Sequence, residues 1–255
     1  MSTVSFERDP PLAVVTIDRP EVRNAVDPET AEALVEAFAA FDADPTLGVA
    51  IFTGAGGHFC AGFDLKALAH GDAAVHVEGR SPMGPARMLL SKPVIAAVEG
   101  FAVGGGFELA LWSDLRVASR SAVFGVFNRR FGVPLIDGGT VRLPRLIGHS
   151  RAMDLILTGR AVGADEAFAI GLANRLVEQG QALPAAMALG RELSNHPQTC
   201  LRSDRLSAYE QWSLPLDEAI EGEWRRGRDV IASGETTAGA ARFAEGAGRH
   251  GEAGA

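Results

Sequence analysis

No stretch of this 255-residue sequence approaches the roughly 18–20 consecutive apolar residues that a membrane-spanning helix needs. Met1 to Arg8 contain no basic region followed by an apolar stretch, so no secretory signal is read and a cytoplasmic protein is expected. Cysteine is scarce. Cys60 and Cys200 are the only two, and without a secretory context they read as two buried thiols and not as a disulfide. An excess of positive charge is missing as well: 24 Lys and Arg stand against 32 Asp and Glu, a net charge of −8. Such a chain has no general attraction for nucleic acid or anionic lipid, so an anionic ligand must be met by a local cluster of cations or amides.

Other absences narrow the chemistry. The six histidines, His58, His70, His76, His149, His196 and His250, form no i, i+4 pair and have no cysteine partner at zinc spacing, so they are read as surface residues. Gly54-Ala55-Gly56-Gly57-His58-Phe59 lacks the third glycine of a dinucleotide loop. Gly148-His149-Ser150-Arg151-Ala152 has no strand before its serine, which argues against a nucleophile elbow. No internal repeat or low-complexity linker is present.

What is present is a composition of 47% hydrophobic and 22% charged residues, and a chain of this length buries roughly 70–75% of its unfolded surface around one sizeable core. Val4–Glu7 and Leu12–Ile17 read as strands. Asp27-Pro28-Glu29 reads as an N-cap, a first-position proline and an acidic first turn. After it, Ala31, Leu34, Val35 and Phe38 share one helical face. The apolar runs Val49–Phe52, Val94–Val98 and Leu115–Ala118 suit buried strands, and their alternation with helices predicts an α/β protein with a covered sheet. Ser150 reads as the cap of a helix ending at Thr158 before Gly159. Leu183–Leu193 and Pro215–Ile231 follow as helices, the last charged on much of its surface, and the Gly- and Ala-rich tail from Gly234 reads as frayed at its end.

The chemistry concentrates in two glycine-rich stretches. Gly104-Gly105-Gly106-Phe107-Glu108-Leu109-Ala110-Leu111-Trp112 follows a buried strand and opens a helix, where unpaired N–H groups and the positive end of the dipole suit an oxyanion. Glu108 lies among apolar neighbours that should raise its pKa by desolvation, partly opposed by the helix N-terminus. It is a candidate general acid or base. The residues leave a second reading open, in which Glu108 complements the dipole and the glycines allow close packing. His58-Phe59-Cys60-Ala61-Gly62-Phe63-Asp64-Leu65-Lys66 leaves another strand, with Asp64 placed to cap a short helix, and Cys60 is read as a packing residue. Two such loops could donate amides to one carbonyl oxygen.

Phe59-Cys60-Ala61-Gly62-Phe63-Asp64-Leu65, and Lys92-Pro93-Val94-Ile95-Ala96-Ala97-Val98-Glu99-Gly100 running into Gly104-Gly105-Gly106-Phe107-Glu108-Leu109, resemble the two signature segments of the crotonase (enoyl-CoA hydratase/isomerase) family. The likeness extends from Ile17-Asp18-Arg19-Pro20-Glu21-Val22-Arg23-Asn24-Ala25 to Leu157-Thr158-Gly159, Ala164-Asp165-Glu166-Ala167 and Gly171-Leu172-Ala173. It covers about two thirds of the chain in the family's order. The resemblance implies a superhelix of ββα units over residues 1–195 with the CoA site, and a helical region 196–255 for oligomer contact and active-site cover. It also implies a homotrimer or dimer of trimers, with no metal, no redox cofactor, and coenzyme A present only as part of the substrate. By position the oxyanion amides would be those of Phe63 and Gly105. CoA would run past Glu21, Val22 and Arg23 and along Ala61, Gly62 and Asp64, with Arg23 and Lys66 near its phosphates.

The sequence departs from the family pattern at one point. Family hydratases generally use two glutamates; Glu108 matches one, while Asn128, after the expected strand Val123–Phe127, stands at the other. An amide orients water but transfers no proton. Nine residues on, Asp137 in Leu135-Ile136-Asp137-Gly138-Gly139-Thr140 matches the place where dienoyl-CoA isomerases and a CoA-dependent dehalogenase of the family keep a catalytic aspartate. A helix cap is the other reading of Asp137. Arg129 or Arg130 could pair with either acid and lower its pKa. Gly71–Pro85, polar and irregular, would border the acyl entrance. The expected function is hydration of a 2-enoyl-CoA by Glu108 with Asp137 or Asn128 assisting at the α carbon. Double-bond isomerisation by Asp137 and a CoA-binding protein with little catalysis are the alternatives.

Overall fold

The computed structural model describes residues 2–66 and 81–247. Positions 71–80 of the expected acyl entrance, and His70, His76 and His250, lie outside them.

β1 (Val4–Asp9) and β2 (Leu12–Ile17) form an antiparallel hairpin, Val4 opposite Ile17 and Asp9 opposite Leu12. Asp27 accepts the Thr30 N–H and starts α1 (Pro28–Ala43), the predicted cap and proline in their predicted places. The chain then lays down β3 (Val49–Gly54), β4 (Val94–Val98), β5 (Phe101–Val103), α2 (Gly105–Trp112), β6 (Leu115–Ser119) and β7 (Val123–Gly125). After β7 come a 3-10 turn (Phe127–Phe131), α3 (Gly139–Ile147), α4 (His149–Thr158), β8 (Val162–Gly163), α5 (Ala164–Ala169) and β9 (Arg175–Val177). Beyond Val177 every described regular element is helical: α6 (Ala182–Ser194), α7 (Gln198–Glu210), a 3-10 turn, α8 (Leu216–Ala232) and α9 (Glu235–Ala244).

The six-stranded sheet runs β1-β2-β3-β4-β6-β9, parallel from β2 onward, and a three-stranded sheet runs β5-β7-β8. Both faces of the larger sheet are covered. Ala13, Val15, Ile17, Ala50, Phe52, Ala96, Val98 and Ala118 point into one core cluster with α1, while Leu12, Val14, Val49, Ile51, Ile95, Ala97 and Val117 point into the other. That alternation is the two-residue period of a strand, and covering both faces makes each run read as continuously apolar. α6 closes the second face so tightly that a Cβ on Gly190 would stand 2.9 Å from Leu12 Cδ2.

Several details differ from expectation. α4 is capped by Gly148, and Ser150 lies inside it without a capping hydrogen bond, because left-handed Gly148 ends α3 and starts α4 at once. The strand after Ala122 ends at Gly125, so Asn128 sits in the following 3-10 turn. Left-handed Gly234 starts α9, and the end of the tail, where fraying was expected, lies outside the described residues. Cys60 is buried but Cys200 is only partly so, and both thiols are unpaired.

Arg116, on β6, is 1% exposed. Its guanidinium donates to Leu172 O (2.7 Å), Ser113 O (2.7 Å), Ala110 O (3.2 Å), Asp114 O (3.3 Å) and Asn174 Oδ1 (3.2 Å). It thereby satisfies the carbonyls at the end of α2 and joins them to the loop before β9; burial pushes its pKa down to about 10. Arg116→Leu is expected to remove on the order of 3 kcal/mol of stability, because several buried carbonyls lose their donors together, as measured by urea denaturation; an unchanged midpoint would remove this role.

Candidate active site

Two loops are held side by side by backbone hydrogen bonds. Cys60 N donates to Phe101 O (2.8 Å) and Val103 N to Cys60 O (3.1 Å), so the segment after β3 pairs with β5 at the entrance to α2. Glycines permit the approach. A Cβ on Gly106 would stand 2.2 Å from Cys60 O, and one on Gly62, at φ +98°, would stand 3.0 Å from Gly105 N. Across the first loop, Val26 N donates to Gly62 O and Asp64 N to Val26 O, both at 2.8 Å. That parallel bridge turns the intervening Phe63 N–H the other way. Among the described residues neither Phe63 N–H nor Gly105 N–H has a partner, and both residues line a cavity of about 420 Å³ that also takes in Glu108, Asn128 and Asp137.

Glu108 is 2% exposed. Its Oε1 accepts the Asp137 N–H (2.9 Å) and the Gly139 N–H (2.7 Å). Desolvation and the adjacent Asp137 carboxylate push its pKa up to about 7 against those amide donors. The opposing dipoles thus belong to the start of α3, whereas the sequence suggested those of Glu108's own helix. Gly139 cannot carry a side chain here, since a Cβ would stand 2.9 Å from Glu108 Oε1.

Asp137 is no helix cap. Gly138 holds the N-cap position of α3 without a side-chain bond, and the buried Asp137 carboxylate instead accepts the Ser81 hydroxyl proton. Burial raises its pKa, and the Ser81 hydrogen bond opposes that. Among the described residues neither Arg129 nor Arg130 pairs with an acid: Arg129 donates to Ile156 O (3.2 Å), and Arg130 to Gly159 O (3.1 Å) while lying over the Phe127 ring. Arg142, which sequence reading passed over, is the nearby cation; it is tied to Asp137 O (2.8 Å) and Ala86 O (2.7 Å) and leaves both carboxyls without an ion pair among the described residues. Asn128 donates from Nδ2 to Val133 O (2.8 Å), and its Oδ1 has no partner.

The residues expected along CoA also assemble. Pro20–Val22 form a 3-10 turn, Arg23 is exposed with its guanidinium 5.2 Å from the Phe101 ring centre, and Ala61 N donates to Arg23 O (2.9 Å). Asp64 is otherwise occupied: its carboxylate faces Arg19 (3.4 Å) and caps Lys66 N (3.1 Å). His58 is partly buried: its Nδ1 accepts the Phe101 N–H (3.3 Å) and its ring stacks on Phe101. Cys60 is packing: burial raises its thiol to about 12. Among the described residues no group of three or more His, Cys, Asp or Glu is placed to hold a metal ion.

Ser81, Arg142 and Gly139 are the parts of this site that sequence reading missed. A serine in an irregular stretch, an arginine on a helix and a glycine in a cap carry no local sign that the chain will fold them around two carboxyls.

The family model described as enoyl-CoA hydratase/isomerase matches residues 7–250. Enoyl-CoA hydratase EchA19 of Mycobacterium tuberculosis is 37% identical over 246 residues, covering 94% of this chain and 92% of its own. Carnitinyl-CoA dehydratase of Salmonella typhi is 37% identical over 252 residues, covering 95% of each. The crystal structure of enoyl-CoA hydratase EchA1 from Mycobacterium marinum superposes with a TM-score of 0.91 at 39% identity, over 96% of both chains.

The Glu108 carboxyl also sets a pH dependence of stability. The folded carboxyl holds its proton more tightly than the unfolded one, so the native state carries the extra proton between about 4.5 and about 7. Stability therefore falls as pH rises through that window. Glu108→Gln keeps the acceptor oxygen and removes the buried charge; it is expected to be more stable than the parent by about 3 kcal/mol at pH 8, with the difference vanishing near pH 4. Denaturation curves at both pH values check it.

Proposed function

The chain belongs to the enoyl-CoA hydratase/isomerase (crotonase) family, and from that premise we propose that it hydrates a 2-enoyl-CoA to a 3-hydroxyacyl-CoA. The observation that carries the reading is the buried Glu108 carboxyl at a cavity wall shared with the unpaired Phe63 and Gly105 N–H groups. The acyl group enters this cavity with its thioester oxygen between those two donors. A water accepted by Asn128 Oδ1 loses a proton to Glu108, its oxygen bonds to Cβ, and the electrons of the double bond move onto the thioester oxygen. The enolate so formed collapses by taking a proton at Cα from the Glu108–Asp137 pair, which ends with the protons it began with. Fixed amides stabilise the enolate more than the neutral carbonyl, which is why they lower the barrier. A carboxyl with a pKa near 7 can both take and return a proton at neutral pH. A dehydratase, the activity in the name of one relative, is this reaction run backward.

The CoA moiety bends past Glu21, Val22 and Arg23 and along Ala61, Gly62, Asp64 and Lys66. The unpaired thiols of this acidic chain fit the reducing cytoplasm. We further assign residues 196–255 to oligomer contact and active-site cover. Leu216, Ile220 and Trp224 recur every four residues along α8 and are all more than half exposed. A second copy in a trimer, or a dimer of trimers, covers that stripe.

Isomerisation of a double bond is the second reading, favoured by the contact of Asp137 with Glu108 and by the inability of Asn128 to move a proton. Loss of conjugated-thioester absorbance from crotonyl-CoA tests hydration; no change at high enzyme concentration removes it for short chains. In a hydratase Glu108→Gln lowers kcat by roughly a thousandfold and Asp137→Asn by less, whereas an isomerase loses nearly all its rate with Asp137→Asn. Gly62→Ala, which sets a methyl against Gly105 N, is expected to lower kcat roughly a hundredfold or more in either case, as loss of one such donor does.

A further inference from the structure

One hydroxyl beside the carboxyl pair has no role in the chemistry above. Ser81 is 5% exposed and stands in a tight turn, with Gly84 N donating to Ser81 O (2.9 Å) and Gly84 at φ +74° against the backbone of α1. A serine hydroxyl has a single proton. Ser81 Oγ accepts the Met83 N–H (3.1 Å), which orients the hydroxyl, and gives its proton to Asp137 Oδ1. Asp137 Oδ1 is the acceptor of that bond, a role the anionic carboxylate fills more strongly than the neutral acid.

The other groups around the pair do not make this choice. Arg142, from α3, spends two donors on backbone carbonyls, and Arg87, from the 3-10 turn Pro85–Arg87, donates to Ile136 O (3.2 Å). Both lend only a distant positive field to Asp137. Glu108, from α2, is the remaining titratable neighbour, and its Oε1 is taken by two amides. Two buried carboxyls that feel each other's charge share protons unequally, and the one whose anion is better hydrogen-bonded remains the anion. Glu108 accepts from two amides but is slightly more deeply buried; Asp137 accepts the Ser81 hydroxyl proton, and the Met83 N–H also favours its anion.

We propose that Ser81 is a positioning residue that assigns the proton within the pair: by committing its only proton to Asp137 it keeps Asp137 the anion and leaves Glu108 as the carboxyl that gains and loses the proton. The assignment rests on the hydration reading for its catalytic meaning but not for its titration. It also ties the turn Ser81–Gly84 to the rest of the site. The Met83 side chain fills the space where a Cβ on Gly105 would stand, so the residue whose N–H orients Ser81 also packs against the Gly105 backbone.

The test is the titration of the pair in the full chain without ligand, followed by carboxyl carbon-13 NMR with Glu108→Gln and Asp137→Asn used to assign the two signals. In Ser81→Ala the anion loses its donor, so the apparent pKa values of the pair rise by about one unit. Ser81→Thr, which keeps the hydroxyl, restores the parent titration. In the Asp137→Asn background, Ser81→Ala leaves the Glu108 titration where it was. With turnover measurable, the acid limb of kcat/KM against pH moves alkaline by the same unit in Ser81→Ala and returns in Ser81→Thr. An unshifted titration in a Ser81→Ala protein of unchanged melting temperature overturns the proposal, as does failure of Ser81→Thr to restore it. If Ser81→Ala does not fold, Ser81→Thr and Ser81→Cys carry the comparison, the weaker thiol donor giving an intermediate shift. A titration that shifts as expected in a protein inert toward crotonyl-CoA sinks the hydration reading and leaves the role of Ser81 standing.

Discussion

The structure is organised around one costly act, the burial of the Glu108 carboxyl where, among the described residues, no cation pairs with it. Its oxygen meets only two peptide N–H groups, those of Asp137 and Gly139, and neutral donors lower a carboxyl's pKa less than a guanidinium in contact would. The acid is thereby left with a pKa near 7, a destabilising condition that an ordinary core would remove by pairing. Arg142 is close enough for its charge to act on Glu108 but makes no ion pair with it among the described residues, its donors going to Asp137 O and Ala86 O. The same guanidinium fixes the backbone whose N–H groups hold Glu108, so the cation acts as a brace and not as a counter-ion.

Glycine is the second half of that constraint. Gly139 allows the backbone of α3 to reach the carboxyl, Gly106 allows α2 to start against Cys60, and Gly62 leaves space beside the Gly105 amide. At each place a methyl group would collide with backbone or with the carboxyl itself, and a backbone contact cannot retreat as a flexible side chain can. Local conformational entropy is lost so that three separate segments can bring peptide nitrogens and one acid to a single cavity. The sheet supplies the rigid frame: β4, β5 and β6 fix both ends of α2, with Arg116 closing its last carbonyls.

Charge is arranged on the same economy. The chain is acidic as a whole, and among the described residues the amides of Phe63 and Gly105 stand unpaired at the cavity, where in the proposed reaction they meet the developing negative charge. Amides in fixed positions need no reorganisation when the charge appears. Asn128 departs from the family pattern in keeping with this: its amide is anchored through Nδ2 and offers an acceptor without adding a third carboxylate to the cluster.

Much of this was legible in the residues themselves. The caps and period of α1, the apolar runs of β3, β4 and β6, and the two glycine-rich loops with Glu108 between apolar neighbours are local facts, written in neighbouring side chains whose propensities act over a few residues. The place of Ser150 within α4 was misjudged because Gly148, at positive φ, takes the cap position, and the end of the strand before Asn128 because the chain turns into a 3-10 helix before the apolar run is over. The sequence by itself therefore determined the covered α/β frame, the family and the candidate acid. Tertiary structure alone decided that Asp137 turns to Ser81 instead of capping α3, that Arg142 and not Arg129 or Arg130 stands near the acids, and that Asp64 faces Arg19. These are contacts between segments dozens of residues apart, and hydrogen-bond direction and desolvation, which set the charge of each group there, exist only once the chain has brought those segments together.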